Sequence, residues 1–201
     1  MSDRIITIGR QFGSGGREIG IKLAQKLGIP FYDKEIITLA AEAGGIDPKL
    51  IAENEEKRVK GVMGRMAFAS FKYNPTLSDG IFLHQCAVIK NIAKEGPCVI
   101  VGRCADFVLK DTNAINVFIG ASMPYKIARK RAIAEEKANY TDAQMEKYIN
   151  DINKSRKNYY EHYTNKNWGY INDYHLCIHS DLVGIDGSVN TILTYLDNII
   201  E

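Results

Sequence analysis

Residues Arg4 to Arg17, Arg-Ile-Ile-Thr-Ile-Gly-Arg-Gln-Phe-Gly-Ser-Gly-Gly-Arg, constrain the fold more than any other stretch. Ile5, Ile6 and Ile8 make an apolar, β-branched run that reads as a short buried strand. The cluster Gly13, Gly15, Gly16 follows, and Glu18 to Leu27 reads as a helix with Ile19, Leu23, Ala24 and Leu27 on one side. Strand, glycine loop and helix in that order is the context of a phosphate-binding loop. Glycines let successive backbone N–H groups turn toward an anion, and the helix N-terminus adds partial positive charge. The full signature G-x-x-x-x-G-K-[ST] is not met. In the best register Arg10 stands for the first glycine, Gly16 for the lysine and Arg17 for the Ser/Thr.

Three further apolar runs, Cys98–Val101, Ile115–Ile119 and His175–Ile178, read as core strands, and Pro30–Tyr32 as a shorter one after the Leu27-Gly28 helix stop. Strands alternating with helical patterns predict a parallel sheet covered on both faces. Two regions depart from that alternation. Asp33 to about Glu95 is helical in pattern, with expected breaks at Gly44-Gly45, Asp47-Pro48, Asn74-Pro75 and Asp79-Gly80. One helix there carries an apolar face of Leu83, Ala87, Val88 and Ile92. Pro124 to about Tyr170 is charged and rich in tyrosine. Ser188 to Ile199 is expected to close the chain as an amphipathic helix.

The 201 residues suit one domain with inserted lobes. A net charge of +2 does not suggest a dedicated nucleic-acid binder, since such proteins are usually markedly basic. An RNA-binding module built on the basic and aromatic stretch Lys154–Tyr170 stays as a lesser alternative. None of Cys86, Cys98, Cys104 and Cys177 forms a C-x-x-C pair or joins a histidine at zinc spacing. Cys98 and Cys177 sit in apolar runs and are expected to be buried, which fits a reducing cytoplasm. No signal-peptide core or transmembrane stretch is evident, so no membrane partner is expected.

These pieces together resemble the cytidylate kinases of the P-loop nucleoside monophosphate kinases, in particular the divergent cytidylate kinase-like family. Ile6-Thr7-Ile8, Gly13-Ser14-Gly15-Gly16 and Leu23 to Gly28 match the loop, its strand and its helix. Pro30-Phe31-Tyr32-Asp33 matches the entry to the monophosphate lobe, and Val101-Gly102-Arg103 the Gly-Arg-Asp segment after the third core strand. Ala121-Ser122 with Lys126, Arg129 and Lys130 matches the basic helix leading to the lid. The departures are Gly16 for the loop lysine, Cys104 for the aspartate after Arg103, and Asp151-Ile-Asn-Lys-Ser-Arg156 for an aspartate-rich arginine motif.

The resemblance implies a three-layer α/β P-loop fold with a parallel sheet of about five strands flanked by helices. Its core would comprise residues 1–32, 96–123 and 171–201, with a helical monophosphate lobe at 33–95 and a lid at 124–170. It implies an ATP- and Mg²⁺-dependent nucleotide kinase acting on CMP or a related acceptor. The alternative is a catalytically inactive nucleotide- or anion-binding protein on the same fold.

Phosphoryl transfer needs phosphates held in line and their charge neutralised. The backbone of Gly13, Ser14, Gly15 and Gly16 is the candidate cradle. Arg17 is the first substitute for the lysine, because its guanidinium can grip phosphate bidentately, and Arg10 is a second. Losing one transition-state charge contact costs roughly 3–4 kcal/mol, which a substitute must recover. An exposed first-turn arginine remains the plain alternative for Arg17.

Arg129 and Arg156 are candidate lid cations that act on the transferring group, with Lys130 and Arg131 beside them on the basic helix. Asp33, Arg103 and Asp106 are candidates on the acceptor side, Arg103 because it lies just past the end of a core strand. Helix capping is the simpler reading of Asp33 and Asp106. Glu18 could reach Mg²⁺ through water or be an ordinary acidic residue of a first turn. Metal ligands are otherwise unassigned. Tyr159, Tyr160, Tyr163 and Trp168 read as packing between lid and core.

Overall fold

A computed structural model describes residues 4–33, 35–45, 75–133 and 139–200. The expected breaks at Asp47-Pro48 and at Asn74 lie outside them. In chain order the elements are β1 (Ile6–Arg10), α1 (Gly16–Leu27), β2 (Phe31–Tyr32), α2 (Glu35–Gly44) and α3 (Pro75–Glu95). They continue with β3 (Val99–Val101), α4 (Ala105–Val108), β4 (Ile115–Gly120), α5 (Met123–Ile133) and α6 (Asp142–Thr164). A 3₁₀ turn at Ile171–Asp173, β5 (Leu176–His179) and α7 (Ser180–Asp197) complete them.

The five strands form one sheet in the order β2-β3-β1-β4-β5. Every pairing is parallel; Ile6 is opposite Val99 on one side and Ile115 on the other. Parallel strands need helices on both faces, and the apolar runs supply side chains to both. Ile6, Ile8, Val99, Val101, Val117 and Ile119 pack with Ile19 and Leu23 of α1 and Val189 and Ile192 of α7. Cys98 and Ile100 point the other way, onto Ile36 of α2, Ile89 and Ile92 of α3 and Ala105 of α4. A smaller cluster of Ile127, Met145 and Ile149, with Phe12 against it, joins α5 and α6 to the glycine loop.

Several expectations are corrected in detail. Asp79-Gly80 lies inside α3 and does not break it. An interior glycine costs only about 1 kcal/mol, and Phe82 of that segment stacks on Tyr163 of α6 with ring centroids 4.0 Å apart. On α3 the buried face is Gln85, Ile89 and Ile92, whereas Leu83 and Ala87 are exposed. The closing helix starts at Ser180, well before Ser188, with a non-helical residue at Gly184. Cys98 is buried as expected, but Cys177 is exposed. β5 is an edge strand, and alternation turns Ile178 inward and Cys177 outward.

Among the described residues, no helix is long and apolar enough to cross a membrane.

Candidate functional site

The glycine loop joins the C-terminal end of β1 to the N-terminus of α1, in the middle of the sheet. Strands on the two sides of β1 are reached by opposite crossovers, which opens a crevice at its carboxyl end. Gly13 and Gly15 have φ of 86° and 80°, which side chains disfavour. Space is also short: a Cβ on Gly15 would lie 2.4 Å from Ile185 Cδ1.

The loop is braced from outside the crevice. The Ser14 hydroxyl donates to Gln11 O at 2.9 Å, and Ser180 Oγ donates to Ser14 O at 2.6 Å. The Phe12 N–H donates to Asn153 Oδ1 at 2.7 Å. Buried Lys126 donates to Gln11 Oε1 at 3.1 Å. Ser14 is wholly buried and works as a brace, while Gly13, Gly15 and Gly16 face the cleft. The first N–H groups of α1 have no carbonyl one turn earlier to satisfy them, so the loop end of the helix is a natural seat for an anion.

A cleft of about 700 Å³ opens above this loop. Arg10, Arg17, Arg103 and Arg156 all line it, and Asp33 sits among them. Asp33 is 5% exposed. One of its oxygens faces Arg10 Nη2 at 3.4 Å and the other accepts from Arg17 Nε at 2.9 Å. Arg156 Nη1 donates to the Arg10 carbonyl at 3.1 Å. Burial pulls the Arg10 guanidinium down to about 10; Asp33 opposes this, and nearby Arg103 and Arg17 add to it. Burial, then repulsion from Arg10, pulls Arg156 down to about 9. Both stay charged at neutral pH. Crowded cations that lower one another are relieved by a nearby anion, so the cleft has the electrostatics of an anion site.

The backbone after β3 is unusual in the same place. Arg103 and Cys104 have φ of 58° and 55°, directly after Gly102 at 76°. Two consecutive non-glycine residues in the left-handed region are costly and recur where function demands them. Their effect is to turn the chain sharply so that Arg103 lines the cleft.

Helices α5 and α6 contribute from above. Arg129 of α5 ion-pairs with Glu18 of α1, and Lys22 stands 3.9 Å from the same carboxylate. Glu18, considered as a water-mediated Mg²⁺ ligand, is thus engaged by cations. The Phe12 ring has Lys130 Nζ at 4.2 Å and the Arg156 guanidinium at 5.4 Å from its centroid, which ties α5 and α6 to the loop. Lys130 lines the cleft, whereas Arg131 binds Asp142 and the Tyr140 carbonyl at an exposed position.

Asp106 lines the cleft and accepts a hydrogen bond from the Tyr160 hydroxyl at 2.7 Å. Burial holds its carboxyl above the usual range, with that hydrogen bond pulling the other way. Among the described residues no group of three or more His, Cys, Asp or Glu gathers to hold a metal ion.

The structure thus brings the glycines, Arg17, Asp33, Arg103, Asp106, Arg129 and Arg156 to one cleft. It also adds Tyr174 together with Tyr159, Tyr160 and Trp168, three residues whose spacing alone predicts packing. The signal was available on α6. Ile152, Ser155, Arg156, Tyr159 and Tyr160 all line the cleft, at the i, i+3, i+4, i+7, i+8 spacing of one helix face.

Comparison with known proteins gives the following. A family model described as the cytidylate kinase-like family matches residues 5–182. The crystal structure of an uncharacterized protein from Eubacterium ventriosum is 27% identical, with a TM-score of 0.70 over 98% of this chain and 99% of that one. A shikimate kinase from Bacteroides thetaiotaomicron is 16% identical, with a TM-score of 0.58 over 96% and 98%. A shikimate kinase from Acinetobacter baumannii, in complex with shikimate, is 17% identical, with a TM-score of 0.56 over 99% and 96%. The kinase likenesses show a shared P-loop kinase fold. No curated protein matches the chain.

Proposed function

We propose, from the premise that this chain belongs to the cytidylate kinase-like family, that it is a phosphotransferase moving the γ-phosphoryl of Mg·ATP to CMP or a related phosphate-bearing acceptor. The observation that carries the reading is the arginine cluster. Arg10, Arg17, Arg103 and Arg156 converge on a cleft whose floor is a braced glycine loop at a helix N-terminus.

Phosphoryl transfer asks a protein mainly to hold phosphates in line and to neutralise charge. The residues present fit that demand. Amides of Gly15, Gly16 and the first turn of α1 would hold the donor phosphates, and ATP with Mg²⁺ supplies the transferable group and part of the charge neutralisation. Arg103, aimed into the cleft by its left-handed backbone, and Arg17 would hold an anionic acceptor. Asp33 orients Arg17 through its 2.9 Å contact. Arg129 and Arg156, on the two lid helices, would close over the transferring group and exclude water. Tyr159 and Trp168 give the cleft aromatic surface against which a base or ring can lie.

The test is ADP formation from Mg·ATP with a panel of nucleoside monophosphates and shikimate, with Arg103→Ala as the control. Turnover on CMP that falls in the variant is expected. Absence of ATP binding at millimolar concentration would end the reading. ATP binding with no turnover on any acceptor would favour a nucleotide-binding protein on the kinase fold.

A further inference from the structure

The loop departs from the signature at position 10, where a glycine is usual, at position 16, where the lysine is usual, and at position 17, where Ser or Thr is usual. In space the first two are one event. Gly16 is buried at the first position of α1. A Cβ there would lie 2.6 Å from Arg10 Cβ and 3.1 Å from Arg10 Cγ. The stem of Arg10 therefore fills the volume that any side chain at position 16 would need.

The far end of Arg10 is accommodated in the same way. A Cβ on Gly102, at the end of β3, would lie 1.8 Å from Arg10 Nη1 and 2.7 Å from its Cζ. Arg10 thus runs from β1 across two glycines to a guanidinium placed between the glycine loop and the β3 turn. Its side chain is 19% exposed and lines the cleft. Its contact with Asp33, at 3.4 Å, is longer than an ordinary hydrogen bond and engages one of five N–H donors. Arg17 differs: its side chain is 54% exposed and its Nε is committed to Asp33 at 2.9 Å.

We propose that Arg10 does the work of the absent lysine: the cation has moved from the first residue of α1 to the last residue of β1, with Gly16 and Gly102 as the space it requires, and it binds the terminal phosphates of a nucleoside triphosphate. The proposal rests on the phosphotransferase reading above. It reverses the order of the two sequence candidates and makes Arg17 an acceptor-side residue.

The exchange can be run backwards. Binding of ATP, and separately of inorganic tripolyphosphate, is measured by calorimetry for the wild-type chain, Arg10→Ala, Arg10→Lys, Gly16→Lys, Arg17→Ala and the double variant Arg10→Gly/Gly16→Lys. Thermal unfolding of each confirms folding. Arg10→Ala is expected to weaken both ligands roughly tenfold or more, the effect of losing a charged hydrogen bond. It is also expected to slow transfer about a hundred- to a thousandfold.

Gly16→Lys alone is expected to misfold or bind poorly, because its Cβ collides with Arg10. The double variant restores the glycine and the lysine of the signature and is expected to regain affinity well above either single change, a coupling that independent residues do not show. Arg10→Lys keeps the charge and should retain part of the affinity even if the double variant fails to fold. Unchanged tripolyphosphate affinity in Arg10→Ala overturns the proposal, as does a folded double variant no better than the weaker single one. If Arg10→Ala binds ATP normally while the wild-type chain phosphorylates CMP, this inference falls and the function stands. If tripolyphosphate binding depends on Arg10 but no acceptor is phosphorylated, the function falls and the inference stands.

Discussion

Replacing Tyr160 with phenylalanine tests the polar link between α6 and α4. Tyr160 is 4% exposed, and its hydroxyl donates to Asp106 Oδ2 at 2.7 Å. The substitution removes one oxygen, keeps the ring and leaves a carboxylate short of a donor. A hydrogen bond to a charged group contributes about 1.5–3 kcal/mol. In a chain of this length about 1 kcal/mol moves the melting point by some 2–4 °C, so a loss near 2 kcal/mol lowers Tm by about 4–8 °C at neutral pH.

The pH dependence has a definite sign. Burial raises the Asp106 carboxyl above its ordinary 3.8, and the Tyr160 hydrogen bond opposes the rise. A carboxyl raised in the folded state favours folding while protonated. That contribution is complete below about 3.8 and is lost as pH rises through the folded value. Without the Tyr160 donor the folded value rises further, so the gap between variant and wild type widens from acid to neutral pH. Thermal unfolding followed by circular dichroism between about pH 4 and pH 8 measures it. Asp106→Asn keeps an acceptor and removes the charge; in that background Tyr160→Phe should cost only about 1 kcal/mol, with no pH slope. A gap that is constant with pH, or a variant melting within about a degree of wild type, would refute the claim that the hydroxyl supports an ionised Asp106.

Three further outcomes are expected. Gly102→Ala would put a Cβ 1.8 Å from Arg10 Nη1 on a backbone at φ 76°; calorimetry should show ATP affinity falling as in Arg10→Ala, with about 1–2 kcal/mol of lost stability. Thr141→Ala breaks the capping box in which Thr141 Oγ1 accepts from the Gln144 N–H while Gln144 Oε1 accepts from the Thr141 N–H; it should cost about 1 kcal/mol in thermal unfolding. Brief maleimide labelling read by mass spectrometry should modify exposed Cys177 and spare buried Cys98 and Cys104. Burial pushes the Cys98 thiol to about 11 and Cys104 still higher, so neither offers a thiolate near neutral pH.

The sheet was legible because parallel strands, buried on both faces, write themselves as continuous apolar runs. Val99, Ile100 and Val101 point alternately to two separate cores, and all three are apolar for that reason. Helix faces were legible only where one partner was implied. α1 has a single apolar stripe and buried it as expected, whereas α3 carries apolar residues around more of its circumference. Packing against Ile36 and Ile100 selected Ile89 and Ile92 and left Leu83 in solvent. Ser180 was missed as a helix start because its hydroxyl caps nothing in its own helix. It reaches Ser14 O and Gly120 O, so its role is set by residues distant in the chain.

The glycine loop shows the limit most sharply. A motif assigns chemistry to positions in a sequence, but a phosphate meets charges at positions in space. Read as a string, Gly16 is a deletion of function and Arg10 only the second-ranked substitute for it. Read as volumes, each requires the other: the 2.6 Å approach means that a lysine at 16 and an arginine at 10 exclude one another. Arg17 ranks first in the string because its guanidinium can grip phosphate bidentately, yet a residue beginning a helix projects according to helical geometry, and Arg17 projects to solvent and Asp33. What makes Arg10 credible is the cleared path at both ends of its side chain. A lysine-less loop should therefore be judged by whether a neighbouring strand end carries a cation and the positions beneath it carry none of the atoms it would displace.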